Sequence, residues 1–135
     1  MGMIRKSEFL SLRSSEGIVH IRQIARTWAV EMGFSLVDQT KIVTATSELA
    51  RNMIDFAAGG TMQLEIIDQG NHRGLRLTFE DKGPGIADIE LALKDGYSTR
   101  GGLGLGLSGS RRLMNEFEIT SRVGVGTRVV VTKWK

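Results

Sequence analysis

The chain has 135 residues, 41% of them hydrophobic, which is enough for one domain with a core of its own. It has no cysteine, which excludes disulfides and thiolate metal sites and fits a reducing compartment. The net charge of +3 is mild, and Lys and Arg are spread along the chain rather than interleaved with aromatics, so direct nucleic-acid binding is not expected.

No run of about 18 apolar residues occurs, so no membrane span is expected. The N-terminal residues Met1-Gly2-Met3-Ile4-Arg5-Lys6 lack an apolar signal core, and Lys6 stands where a myristoylation motif needs Ser or Thr. These features lead to the expectation of a soluble, cytoplasmic protein.

In chain order, residues 7–13 alternate as a first strand. Ser15-Glu16 opens a helix whose apolar positions Ile18, Ile21, Ala25, Trp28 and Met32 form one stripe, ended by Gly33. Ser35-Leu36-Val37-Asp38 resembles a capping box for a second helix. Its expected buried stripe is Ile42, Ala45, Leu49, Met53 and Phe56, and Gly59-Gly60 is expected to stop it. On the neighbouring stripe lie Lys41, Thr44, Glu48, Asn52 and Asp55. Glu48 and Asn52 are four residues apart and so share a face.

Met62, Leu64 and Ile66 alternate as a second strand, followed by a polar turn from Asp68 to Gly74. A third strand then returns with Leu75, Leu77 and Phe79 on its apolar face. Asp81 continues that parity, so its carboxylate should point to the core side at the strand's end. A buried carboxylate without a donor costs about 1–3 kcal/mol or more, so either the protein or a ligand must supply one. The plain reading of Asp81 is a capping or turn-stabilising residue. Gly83-Pro84-Gly85 lets the backbone turn tightly beside it. A short helix is expected around Ile86–Leu93, a loop over Lys94–Leu105, a helix from about Gly106 to Asn115, and final strands at about 116–122 and 127–134. The sum is an α+β two-layer sandwich with a mixed, mostly antiparallel sheet and helices on one face, occupying residues 1–135 as a single domain.

Gly104-Leu105-Gly106-Leu107-Ser108-Gly109 matches the dinucleotide pattern of spaced glycines. No strand directly precedes it and no acid follows at Thr127 to Val129, so the dinucleotide-fold reading fails. No phosphate-loop lysine motif occurs either. Five glycines within residues 101–109, ahead of a helix start, still describe an anion site built from backbone N–H groups and a helix N-terminus.

The combination of Glu48-Leu49-Ala50-Arg51-Asn52, Asp81-Lys82-Gly83-Pro84-Gly85, Gly102-Leu103-Gly104-Leu105-Gly106-Leu107 and Gly124-Val125-Gly126-Thr127 resembles the GHKL (Bergerat-fold) ATPases. Together these segments span most of the chain. Within that superfamily a lone domain of this size is most similar to the anti-sigma-factor serine/threonine kinases, and most of all to the stressosome kinases. Asp95-Gly96-Tyr97-Ser98-Thr99 and Arg112-Leu113-Met114-Asn115-Glu116-Phe117 add to that likeness.

The resemblance implies ATP and Mg²⁺ as cofactors and assigns roles to particular residues. Glu48 would be the general base on the acceptor hydroxyl. Asn52 would give a side-chain oxygen to Mg²⁺. Asp81 would receive the adenine amino group, Gly83 and Gly85 would let the backbone approach the base, and Thr127 would reach the base through a water. Gly102, Gly104 and Gly106 would wrap the phosphates, with Ile86, Leu103 and Leu105 as further nucleotide-binding positions. Arg100 is the nearest candidate for contact with the terminal phosphate. The implied partners are STAS-domain proteins, phosphorylated on Ser or Thr, and a PP2C-type phosphatase, with no nucleic acid and no membrane. Two readings stand: a kinase of STAS proteins, and a binding switch that activates a phosphatase or sequesters a sigma factor.

Overall fold

The computed structural model describes residues 3–94 and 106–135. The elements run β1 (Met3–Leu12), α1 (Ser15–Met32), α2 (Leu36–Ala57), β2 (Gly60–Gln69), β3 (His72–Asp81), α3 (Ile89–Ala92), α4 (Gly106–Leu113), β4 (Glu116–Arg122) and β5 (Gly126–Trp134). The five strands form one sheet in the order β1-β2-β3-β5-β4. All four pairings are antiparallel. Helices pack on one face, so the α+β two-layer sandwich expected from the sequence is the architecture found. Among the described residues no helix is long and apolar enough to cross a membrane, which says nothing of membrane-crossing strands.

The core lies between the helices and the inner sheet face. Leu75, Leu77 and Phe79 of β3 line up across the register with Lys133, Val131 and Val129 of β5. On the other side they meet Ile66, Leu64 and Met62 of β2. Onto this floor α2 lays Ile42, Ala45, Leu49 and Met53, and α1 lays Ile18, Ile21, Ala25, Trp28 and Met32, all buried. The helical stripes read from periodicity are therefore the buried ones, with one exception. Phe56 is 45% exposed. It stands one residue before the helix end, where the chain turns back to the sheet.

Several boundaries differ from the sequence reading. The helix α2 stops at Ala57, and Ala58, not a glycine, takes the left-handed conformation (φ 59°). That costs an L-residue about 1–2 kcal/mol, held in place by Gly59 N–H donating to the Met53 carbonyl at 3.0 Å. The expected helix over 86–93 shrinks to Ile89–Ala92, because the Asp88 side chain caps it by accepting from the Leu91 N–H. The helix α4 ends at Leu113, two residues early, since the Asn115 N–H is already donated to the Thr132 carbonyl of the sheet. The turn expected from Asp68 to Gly74 is only Gly70-Asn71, because Gln69 still pairs with His72. The strand β1 starts earlier than expected, at Met3, and is kinked between Ile4 and Lys6.

That kink places Arg5 beside Asp68. Arg5 and Arg73 both donate to the Asp68 carboxylate, Arg73 Nε at 2.8 Å. The hydrogen bonds from Arg73 and then Arg5 hold the Asp68 carboxyl at about 2, below its ordinary 3.8. A carboxylate with a depressed folded-state pKa contributes stability that is complete above the unfolded value and is lost as pH falls through the folded one. We expect the wild-type protein to lose stability between pH 3.8 and 2 through this group, and Asp68→Asn to flatten that part of the acid-unfolding curve measured by circular dichroism.

Candidate nucleotide site

The site begins where β3 runs out. Asp81 sits on the inner parity of the strand, opposite Thr127 in the register, and is half-buried. Its Oδ1 accepts from the Gly83 N–H at 2.9 Å and from the Thr127 N–H at 3.3 Å. The protein itself thus supplies donors to one carboxylate oxygen, and the turn-stabilising reading of Asp81 holds. It does not use up the group: among the described residues no donor reaches Oδ2. Two backbone donors on one oxygen aim the other in a fixed direction.

The glycines beside Asp81 have steric reasons of their own. A Cβ on Gly83 would lie 2.5 Å from the Ala57 Cβ at the end of α2. Gly85 has φ 79°, and a Cβ there would lie 2.4 Å from the Arg122 carbonyl oxygen. Gly126, at φ 149°, has its α-carbon so close to β3 that a Cβ would meet the Asp81 carbonyl oxygen at 2.1 Å. At Gly83 and Gly85 the segment is therefore pressed against the end of α2 and the β4–β5 hairpin with no room for a Cβ.

Thr127 is held from the other side. Its Oγ1 lies 2.8 Å from Ser121 Oγ of β4. Ser121 Oγ also accepts from the Ile86 N–H at 2.7 Å and donates to the Gly126 carbonyl at 3.2 Å. Ser121 was not among the residues singled out from the sequence. The available signal was parity: Phe117, Ile119 and Ser121 alternate on β4, and a serine at a core position needs partners.

Along α2, away from Ala57, lie Asn52 and Glu48. At 1.5 Å per residue they stand roughly 7 Å and 13 Å up the helix axis from the Ala57–Gly83 contact. Both are half-buried, as are Lys41, Thr44 and Asp55 on the same stripe, while Arg51 is exposed. Among the described residues Glu48 has no ion-pair partner, so the pairing with Arg51 or Lys41 that would make it a plain surface charge is not formed. No cluster of three or more His, Asp or Glu able to hold a metal occurs among the described residues.

Packed against α2 is α4, in which Ser108, Gly109 and Ser110 are buried. Leu107, and Met114 just past its end, pack on the core, and Arg111 is exposed. Gly106 is the first residue of α4. Arg100, Gly102, Leu103, Gly104 and Leu105 lie outside the described residues.

The turn after Asp81 thus sits against the C-terminal end of α2, and the same helix carries Asn52 and Glu48 farther from that end. The pattern of the histidine kinase-, DNA gyrase B- and HSP90-like ATPase family matches residues 37–135. The chain belongs to that family.

Among its relatives, the serine/threonine-protein kinase RsbT of Bacillus subtilis (strain 168) is 48% identical over 117 residues, covering 87% of this chain and 88% of that one. The anti-sigma F factor of Thermoanaerobacter sp. (strain X514) is 30% identical, covering 93% and 90%. In fold, the chain is similar to the RsbU and RsbW domains of Rv1364c from Mycobacterium tuberculosis, with a TM-score of 0.68 at 18% identity. That match covers 97% of this chain and 33% of the other.

The fixed Asp81 carboxylate generates a direct expectation. In Asp81→Asn the amide oxygen can keep the two backbone donors, but an NH₂ group replaces Oδ2. ATP affinity should fall by about 1–3 kcal/mol, the range for a broken buried polar match. Calorimetric titration checks it, with an unchanged thermal midpoint showing that the turn survives.

Proposed function

We propose that this chain is an ATP-dependent protein serine/threonine kinase of the partner-switching type, that its substrates are STAS-domain proteins, and that it also engages a PP2C-type phosphatase. The proposal takes residues 1–135 as one nucleotide-binding domain and the cytoplasm, where ATP and Mg²⁺ are plentiful, as its place of action. The observation that carries the kinase reading is the half-buried Glu48, without an ion-pair partner among the described residues, on the same face of α2 as Asn52. The relationship to a serine/threonine kinase across most of both chains supports it.

The residues fit the chemistry. A carboxylate free of ion pairs can take the proton of a serine or threonine hydroxyl as that oxygen attacks the terminal phosphorus of ATP, with ADP as the leaving group. Asn52 offers a hard oxygen of the kind Mg²⁺ prefers, and Mg²⁺ needs few protein ligands when phosphate oxygens and waters complete its shell. When bound, the ion would neutralise charge on the phosphates. Asp81 would receive the base, with Thr127 beside it, while Gly102, Gly104 and Gly106 would supply backbone N–H groups to the phosphates, joined by Arg100. Ile86, Leu103 and Leu105 would border the nucleotide.

The likeness to anti-sigma F factors favours a second reading, a binding switch with little turnover. Two substitutions on α2 separate the readings. Asn52→Ala should lower Mg²⁺-dependent nucleotide binding. Glu48→Gln keeps size and hydrogen bonding but cannot take a proton, so nucleotide binding should survive while transfer of labelled phosphate to a STAS-domain protein falls by roughly 10²–10⁴-fold. Transfer at the wild-type rate would remove Glu48 from the mechanism. Absence of transfer by the wild-type protein to every STAS protein tested would favour the switch.

A further inference from the structure

We propose that Ser121 dictates where the Thr127 hydroxyl sends its proton, and so leaves Thr127 able only to accept on the base side, where it meets the base through a water. The inference rests on the ATP reading above and extends it to how the base is chosen. Ser121 touches no base in this scheme. It acts through Thr127 and is a positioning residue.

A serine hydroxyl has one proton and two lone pairs. Ser121 Oγ meets three groups: the Ile86 N–H at 2.7 Å, the Gly126 carbonyl oxygen at 3.2 Å and Thr127 Oγ1 at 2.8 Å. The N–H can only donate and the carbonyl can only accept. If Ser121 gives its proton to Gly126, its two lone pairs take the Ile86 N–H and the Thr127 O–H, and all three contacts are hydrogen bonds. If it gives the proton to Thr127 instead, the Gly126 contact has no proton in it. The first arrangement satisfies more of these half-buried groups and is favoured for that reason.

In that arrangement the Thr127 proton is spent inside the protein. Thr127 Oγ1 has only lone pairs left to offer. Its register partner Asp81 has Oδ1 occupied by two backbone N–H groups, which leaves the lone pairs of Oδ2. Both groups therefore only accept, and a water between Thr127 and the base must spend one of its two protons on Thr127. A purine with an amino group at position 6 brings donors to meet them. A purine with only acceptors on that edge meets like with like, and unpaired buried acceptors are what makes such a match costly.

Removing the Ser121 hydroxyl frees Thr127 to rotate and donate. The edge then tolerates an acceptor. Ser121 also ties the Ile86 amide to β4, so its loss weakens the site generally, but a general weakening falls on every nucleotide alike. The ratio between two nucleotides isolates the proton effect.

The experiment measures the affinities of ATP and of 6-methoxypurine riboside triphosphate, which keeps the ring nitrogens and replaces the amino group by an acceptor. Wild type should prefer ATP. Ser121→Ala should narrow that preference by about five- to tenfold, the size of one neutral hydrogen bond. Ser121→Thr should restore it, and adding Thr127→Val to Ser121→Ala should abolish the narrowing. Ser121→Cys, a poor hydrogen-bonding partner of similar size, should act like Ser121→Ala and serves if the alanine variant does not fold. An equal loss for both nucleotides, with the ratio unchanged, would overturn the role given to Ser121 and leave the ATP site intact. Failure of the wild-type protein to bind ATP would instead bring down the reading on which this one rests.

Discussion

The arrangement depends on one cross-strand pair, Asp81 against Thr127. The Asp81 carboxylate accepts from the backbone of Thr127 and of Gly83, so a single oxygen joins β3, β5 and the turn that follows β3. Everything near it is packed to backbone distance. Gly126 leaves no space for a Cβ between β5 and the Asp81 carbonyl, and Gly83 leaves none against Ala57. A carboxylate set in such close packing has little freedom. That is the condition under which a hydrogen-bond acceptor discriminates between ligands instead of adapting to them.

The helix α2 carries this constraint to the other end of the site. It contacts β2, β3, α1 and α4. Its buried stripe locks the rotation of the helix, and a locked rotation puts Glu48 and Asn52 on a definite face. Its first turn is anchored as well. Ser35 caps it by accepting from the Asp38 N–H, and the buried Lys133 of β5 lies 3.7 Å from the Asp38 carboxylate. The same Lys133 ammonium donates to the Leu113 carbonyl at the end of α4. One cation thus favours the negative end of α4 and the acid in the first turn of α2, tying both helices to the far strand. The helix α4 packs against α2 as well.

Much of this was legible in the chain itself. The stripes of α1 and α2 are visible because a helix buries every third or fourth residue, and one side of each helix faces a continuous core. Asp81 stood out because it kept the apolar parity of Leu75, Leu77 and Phe79 while being charged. Phe56, on the α2 stripe, is nonetheless 45% exposed, because periodicity reports which way a side chain points and not how much of it is covered at a helix end. The helix ends moved for a similar reason. Ala58 takes the conformation expected of a glycine because the Met53 carbonyl and the start of β2 demand the turn there.

Sequence alone determined the fold class, the half-buried faces and the residue types able to bind a nucleotide, because each follows from local periodicity and from side-chain chemistry. Tertiary structure alone decided which of those residues meet. Placing β5 between β3 and β4 brings Thr127 to Asp81 and Ser121 to Thr127, across 46 and 6 residues of chain. No repeat in the chain announces such pairings. They arise from strand order and register, which the whole core sets when it buries Leu77 against Val131 and Phe79 against Val129.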